Sequence, residues 1–295
     1  MYDANNACIK DCLQMDKKPT TRINNVQSFA KPETRRVDDR ERSLSPNFSN
    51  LKDQILKGRY KVVDRLDVIL GEDLYSGEAR IFMAEDAETG KSVVIKLYHI
   101  GMVPKTDVIE ALQGLDHPNI LKIVDYGQEG KYFYEVQEFA AGGQVGKYAP
   151  YDEKVLHTVI RAVNEAIHAL HAINIVHRDI KPSNMLYTYK SRKNIVLADY
   201  GISSIFEDES VTHRTTRAHK TIGYAAPEVY GGIIDREADY YSLGISLLEL
   251  VLGINPFNGL NEKEITFRTL AGDMALPENL SPHLKLLIRG LLFKE

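Results

Sequence analysis

Ile175-Val176-His177-Arg178-Asp179-Ile180-Lys181-Pro182-Ser183-Asn184-Met185-Leu186 sets a dense group of polar and charged side chains between two apolar flanks. Asp179 offers a proton acceptor, Lys181 a cation and Asn184 a neutral amide oxygen, all within one short loop. That set suits the movement of a phosphoryl group: a base for a hydroxyl, charge for the transferring phosphate, and an oxygen ligand for magnesium. An Arg-Asp pair alone closes many turns. The reading rests on the whole run from His177 to Asn184 between its apolar flanks.

Working outward, Ala198-Asp199-Tyr200-Gly201 follows the β-type run 195–198 and supplies a carboxylate soon after Asn184. A hard dication bridging phosphates calls for such a ligand. Upstream, Val93-Val94-Ile95-Lys96 brings a lysine to the end of an apolar strand. Downstream, the Ser/Thr-rich and basic stretch 202–224 ends just before Ala226-Pro227-Glu228.

Taken in order, these segments resemble the V-A-I-K, H-R-D-x-K-x-x-N, D-F-G and A-P-E elements of the eukaryotic-like protein kinase superfamily, serine/threonine type. The resemblance covers roughly residues 59–295. It implies an α+β, bilobal fold: a small antiparallel β lobe with one helix, and a larger, mainly α-helical lobe. It also implies ATP and Mg2+ as cofactors, with Asp179 as base, Lys181 on the transferring phosphoryl group, and Asn184 and Asp199 as metal ligands. Lys96 would hold the α- and β-phosphates, and Thr221 would hydrogen-bond the catalytic Asp and Lys. The other nucleotide-binding positions carried over are Ser76, Gly77, Ala79, Ile81, Val94, Gln137, Glu138, Ala140, Gln144 and Leu186. Gln137 stands as gatekeeper, although Gln137 and Gln144 also read as exposed polar residues. Asp239 resembles the buried aspartate that anchors the catalytic loop, a role compatible with capping its helix. Arg178 would pair with a phosphate on 202–224, for which Thr215 or Thr216 is the expected acceptor.

Three departures stand out. The glycine-rich pattern puts Leu74, Ser76 and Ala79 where glycines are expected, and Gly71 and Gly77 fall out of register. Val94 replaces the usual alanine, tightening the roof over adenine. The inserted helix carries Val108 where the family has the glutamate that holds the strand lysine; Asp107 and Glu110 flank it as candidates for that role. In addition, the chain stops before the D-P-x-x-R arginine that normally pairs with the A-P-E glutamate, so Glu228 is expected to lack that partner, and the large lobe reads as truncated.

The chain's 295 residues, 43% hydrophobic, are enough for one or two domains with a sizeable core. A net charge of −4 points to neither nucleic acid nor an anionic membrane as a partner. No apolar run reaches the roughly 18 residues of a membrane span, and no signal peptide is legible. Cys8 and Cys12 are too few for a disulfide framework, which fits a reducing cytoplasm. Residues 1–55 form a polar leader, read as mostly disordered and a possible docking segment at 1–50. Residues 56–140 read as the small lobe and 141–295 as the large. Strands are expected at 60–63, 80–84, 92–98, 120–126 and 132–138, and a short helix at 107–115. Apolar residues from Val155 to Leu170 recur at three- and four-residue steps, one long amphipathic helix. The run 240–252 is apolar almost all round, with Gly253 to cap it. A last helix is read at 281–292. The expected function is transfer of the ATP γ-phosphate to Ser/Thr hydroxyls of protein substrates. The alternative is a pseudokinase acting as a nucleotide-binding scaffold.

Overall fold

Burial alternates along Ser92-Val93-Val94-Ile95-Lys96-Leu97, the signature of a strand with one face turned to a core. The computed structural model describes residues 51–70, 79–201, 203–205, 214–215, 221–272 and 274–293. These divide into two compact units, a smaller one comprising the described residues up to Leu115 together with 122–139, and a larger one comprising 116–121 and 140 onward.

The smaller unit is an antiparallel sheet of β1 (Ile55–Leu56), β2 (Tyr60–Arg65), β3 (Ala79–Asp86), β4 (Ser92–Tyr98), β5 (Ile123–Glu129) and β6 (Tyr132–Glu138), in the order β1-β2-β3-β4-β6-β5. One face carries the core: Tyr60, Val62, Phe82, Ala84, Val93, Ile95, Leu97, Tyr134 and Val136. The β3–β4 turn closes on Asp86, which accepts from Arg59 at 2.7 and 2.8 Å and from Thr89 at 2.8 Å. Gly90 (φ 66°) takes the left-handed position of that turn. The short helix α1 (Leu66–Leu70) follows β2, and α2 (Thr106–Gln113) buries Val108, Ile109 and Leu112.

The strand expected at 120–126 starts three residues later. Ile120 and Leu121 instead join the larger unit, where Ile120 bridges Leu197 and the Leu121 amide donates to the Leu197 carbonyl at 2.9 Å. Asn119 fixes this detour by donating to the Ile195 carbonyl at 2.8 Å. An apolar pair reads alike in either place, so hydrophobicity could not separate them.

The larger unit is built on α3 (Glu153–Ala172), whose buried stripe includes Leu156, Val159, Ile160, Val163, Ile167 and Leu170. Asp152 caps it, accepting from the Val155 amide at 3.0 Å. Short strands β7 (Gly143–Gln144), β9 (Met185–Tyr187) and β10 (Ile195–Leu197) form one small sheet, and β8 (Ile175–Val176) pairs with β11 (Ser204–Ile205). Strand β12 (Arg214–Thr215) pairs with β13 (Ile233–Ile234), just past helix α4 (Pro227–Tyr230). Helix α5 (Glu237–Leu252) is buried on nearly every side and ends at Gly253 (φ 76°). Helices α6 (Glu262–Ala271) and α7 (Pro282–Leu292) complete the unit, with α7 lying on α5 at Gly244. Among the described residues, no helix is long and apolar enough to cross a membrane.

Candidate active site

Strand β8 ends at Val176, and the chain must turn at once to bring Asp179 forward. Arg178 makes the turn in the left-handed region (φ 71°), an unfavourable conformation for a residue with a Cβ. Asp239 compensates from α5: its carboxylate accepts from the His177 amide at 2.9 Å and the Arg178 amide at 2.8 Å. His171, in the last turn of α3, contributes Nε2 at 2.8 Å from Asp239 Oδ2. Asp239 is fully buried. Burial opposes its ionisation, but the hydrogen bond from His171 and the donating backbone amide of Arg178 outweigh it and hold its carboxyl below the usual range. Asp239 lies inside α5, with Arg236 at the N-cap, so it anchors the loop and does not cap the helix. Ser246, two turns further along the same helix, donates to the Ile180 carbonyl at 3.3 Å.

His177 faces inward. Its Nδ1 accepts from the Asp179 amide at 3.2 Å, which leaves Nε2–H to donate to the Ala198 carbonyl, also at 3.2 Å. Burial pushes its pKa below the ordinary histidine value, in keeping with a neutral ring locked in one tautomer. Its ring packs against Tyr200, with centroids 5.1 Å apart, and the Tyr200 hydroxyl donates to the Leu197 carbonyl at 2.7 Å. The tyrosine in place of the family's phenylalanine therefore has a partner for its extra oxygen.

Three of the expected side chains converge on Asp179. Lys181 Nζ donates to Asp179 Oδ2 at 2.8 Å and to Thr221 Oγ1 at 3.2 Å. Thr221 Oγ1 donates to Asp179 Oδ1 at 2.5 Å. Asn184 Nδ2 donates to the Asp179 carbonyl at 2.8 Å and to Oδ2 at 2.9 Å. Those two donations fix the amide orientation, so Asn184 Oδ1 remains as a neutral oxygen ligand. The Ala198 amide donates to the Asn184 carbonyl at 2.9 Å, which brings Asp199 (φ 69°) next to Asn184 along the β9–β10 pair. One carboxylate and one amide oxygen suit a magnesium ion that takes its other ligands from phosphate and water.

The other expected positions fall as follows. Ala140 and Leu186 pack with Leu121, Val196 and Ala198 in one apolar cluster of the larger unit, and Gln144 is half-buried on β7. In the smaller unit Ile81, Val94 and Lys96 are central strand residues, with Ile81 opposite Lys96 and Val94 opposite Gln137. Ala79 opens β3 and is buried. Gln137 is also buried, 4% exposed, and donates to Glu135, so its reading as an exposed polar residue is corrected; Glu138 is exposed. Leu74, Ser76 and Gly77 lie outside the described residues, as does Thr216. Val108 is 1% exposed on the buried face of α2, whereas Asp107 and Glu110 are exposed and Glu110 accepts from the Tyr126 hydroxyl at 2.7 Å. Thr215 lies in β12, and Ser203 is buried with its hydroxyl donating to the His177 carbonyl at 3.1 Å. Glu228, expected without its arginine, is nevertheless engaged. Sequence reasoning missed His171 and Ser246. The signal was there: Ser246 is seven residues beyond Asp239, on the same helix face.

A β-rich unit with the short helices α1 and α2 and a mainly helical unit presenting this loop make up an α+β architecture of two lobes. Residues 72–295 match the family described as the protein kinase domain. The chain is 30% identical over 251 residues to serine/threonine-protein kinase PrkC of Bacillus subtilis (strain 168), covering 81% of this chain and 37% of that protein. It is also 30% identical over 246 residues to calcium-dependent protein kinase 4 of Plasmodium falciparum (isolate 3D7), and likewise to that of Plasmodium berghei (strain Anka), covering 76% of this chain and 44% of each. The chain belongs to the protein kinase family. It spans less than half the length of these curated relatives.

Proposed function

We propose that the chain transfers the γ-phosphate of ATP to serine and threonine hydroxyls of protein substrates. The observation that carries this reading is the closed set of bonds among Asp179, Lys181, Asn184 and Thr221. Asp179 orients the acceptor hydroxyl and receives its proton, with its two oxygens held apart by Thr221 on one side and Lys181 and Asn184 on the other. Lys181 lies beside the base and offers positive charge to the phosphoryl group in flight. Lys96 binds the α- and β-phosphates. Asn184 and Asp199 hold magnesium, which when bound neutralises charge on the β- and γ-phosphates. Thr221, bonded to both Asp179 and Lys181, favours serine and threonine over tyrosine as acceptors. We place the activity in the cytoplasm, with residues 1–50 as a docking segment.

One observation favours a second reading, a pseudokinase that binds nucleotide and signals by conformation. Val108 is buried where the family's helix glutamate belongs, and neither neighbouring acid replaces it on that face. Incubation with Mg-ATP and a generic basic protein, followed by mass-spectrometric mapping of phosphosites, separates the two. Phosphoserine and phosphothreonine are expected. Thermal stabilisation by Mg-ATP with no phosphate transferred would favour the pseudokinase.

A further inference from the structure

The hairpin joining β9 to β10 carries Tyr189-Lys190-Ser191-Arg192-Lys193, every residue of it exposed. Its shape is fixed from within. Arg192 takes left-handed backbone (φ 55°), unfavourable for a residue with a Cβ, and Asn194 (φ 58°) follows in a conformation asparagine tolerates. The Arg192 amide donates to the Tyr189 carbonyl at 2.7 Å, and the Asn194 side chain donates to the Pro118 carbonyl at 2.8 Å. The hairpin is also clamped against the chain entering β7: a Cβ on Gly142 would come within 2.3 Å of the Tyr189 carbonyl oxygen. The Arg192 guanidinium lies over the Tyr148 ring, 4.8 Å from its centroid, and the Tyr148 hydroxyl donates to the Gly142 carbonyl at 3.1 Å. Tyr148 meets the Tyr187 ring edge-on, with centroids 6.0 Å apart.

The charge of this face is one-sided. Residues 141–151 and 185–197 hold Lys147, Lys190, Arg192 and Lys193 and no Asp or Glu, in a chain whose net charge is −4. Asp152, next along, accepts from the Val155 amide at the start of α3. Among the described residues, no acid forms an ion pair with Lys190, Arg192 or Lys193. Backbone strain persists only where surrounding contacts enforce it, and here it holds unpaired cations beside two open tyrosine rings, Tyr148 and Tyr189, 41% and 58% exposed. Tyrosine and arginine bring contact area with little rotamer freedom to lose, and a guanidinium braced on a ring grips a carboxylate with two parallel donors. The acidic charge of the whole chain disfavours a nucleic-acid partner. We propose that the β9–β10 hairpin and Tyr148 form a docking surface for an Asp/Glu-rich segment of the protein substrate. The inference rests on the proposed kinase reading and adds a feature of the substrates that reading takes. Strand β9 starts directly after Asn184, so a docked segment raises the local concentration of its own hydroxyls near Asp179 and leaves the chemistry unchanged.

The test has two arms. In the first, binding of a fluorescent Asp/Glu-rich peptide is measured by anisotropy for wild type and for Lys190→Glu combined with Lys193→Glu. The control combines Lys263→Glu with Arg268→Glu, exposed cations of α6 whose reversal changes net charge equally. The hairpin pair is expected to weaken binding about tenfold or more and the α6 pair little, with wild-type affinity falling as salt rises. Arg192→Lys keeps the charge but loses the planar stack, and is expected to weaken binding about threefold. In the second arm, a serine/threonine peptide is phosphorylated with and without an acidic extension. In wild type the extension is expected to lower KM about tenfold at unchanged kcat, and in the hairpin pair to leave both unchanged. The proposal would be overturned by a wild type that does not bind the acidic peptide, by equal losses in the two double variants, or by tighter binding of single-stranded RNA than of the peptide. An active wild type whose KM ignores the extension would overturn it too. A wild type that binds the peptide and phosphorylates neither substrate would defeat the kinase reading instead, and the docking surface would stand on the binding arm.

Discussion

Asp179 is held by hydrogen bonds with four side chains, those of His177, Lys181, Asn184 and Thr221, and the most informative is the shortest, from Thr221. Thr221→Ser keeps the hydroxyl and should retain most activity. Thr221→Ala removes it, frees one Asp179 oxygen, and is expected to lower kcat about tenfold or more with little change in KM for ATP. Steady-state kinetics at saturating peptide would check this, and equal activity of the two variants would count against the role. Asp239 is a structural counterpart. Asp239→Ala leaves the His177 and Arg178 amides without their acceptor and is expected to cost about 3 kcal/mol, seen as a lower midpoint in urea unfolding. Protons act on the same cluster. An unfolded histidine titrates near 6.5, and burial holds His177 lower in the folded chain. Below pH 6.5 the unfolded chain therefore takes up a proton that the folded one refuses, and stability should fall as pH drops from 7 toward 5. The depressed Asp239 carboxyl adds a further loss below its ordinary 3.8. Melting temperature recorded from pH 5 to 8 tests the first part; a flat profile would argue against the buried neutral ring.

At the level of elements, what could be read in advance was what periodicity encodes. The 20-residue α3 announced itself through its three- and four-residue apolar steps, and α5 through apolar residues on all sides. The motif residues were equally legible, because H-R-D-x-K-x-x-N spans eight positions of one loop. Long-range pairings were not. Nothing local indicates that Ile120 and Leu121 leave the small sheet, that His171 meets Asp239 across 68 positions, or that a glutamate in β6 lies across from Lys96. Helix packing carries its own prediction. A Cβ on Gly244 would come within 2.8 Å of Leu292 Cδ2 and 3.1 Å of Leu291 Cβ, so α7 can lie on α5 only because residue 244 lacks one. Gly244→Ala is expected to destabilise the larger unit by about 1–3 kcal/mol through overpacking, outweighing the better helix propensity of alanine. Chemical denaturation followed by circular dichroism would detect it, and a neutral or stabilising effect would show that the α5–α7 contact is looser than described.

For the whole molecule, the family assignment fixes the fold, and the loop at Asp179 gives the chemistry its best support. Three of the departures fall on nucleotide handling: valine at 94, valine at 108 and an unusual 71–79 segment. On the proposed reading, with Asp179 as base, Asn184 and Asp199 as metal ligands and Thr221 on the substrate side, the chain should still catalyse transfer despite its altered nucleotide side. The most direct measurement is phosphate incorporation from γ-labelled ATP into a basic protein substrate, comparing wild type with Asp179→Asn at matched nucleotide occupancy. Transfer onto serine and threonine by the wild type, reduced about 10²-fold or more in Asp179→Asn without loss of Mg-ATP binding, is the expected result. Wild-type protein that binds Mg-ATP and transfers nothing, or labelling that survives in Asp179→Asn, would contradict it.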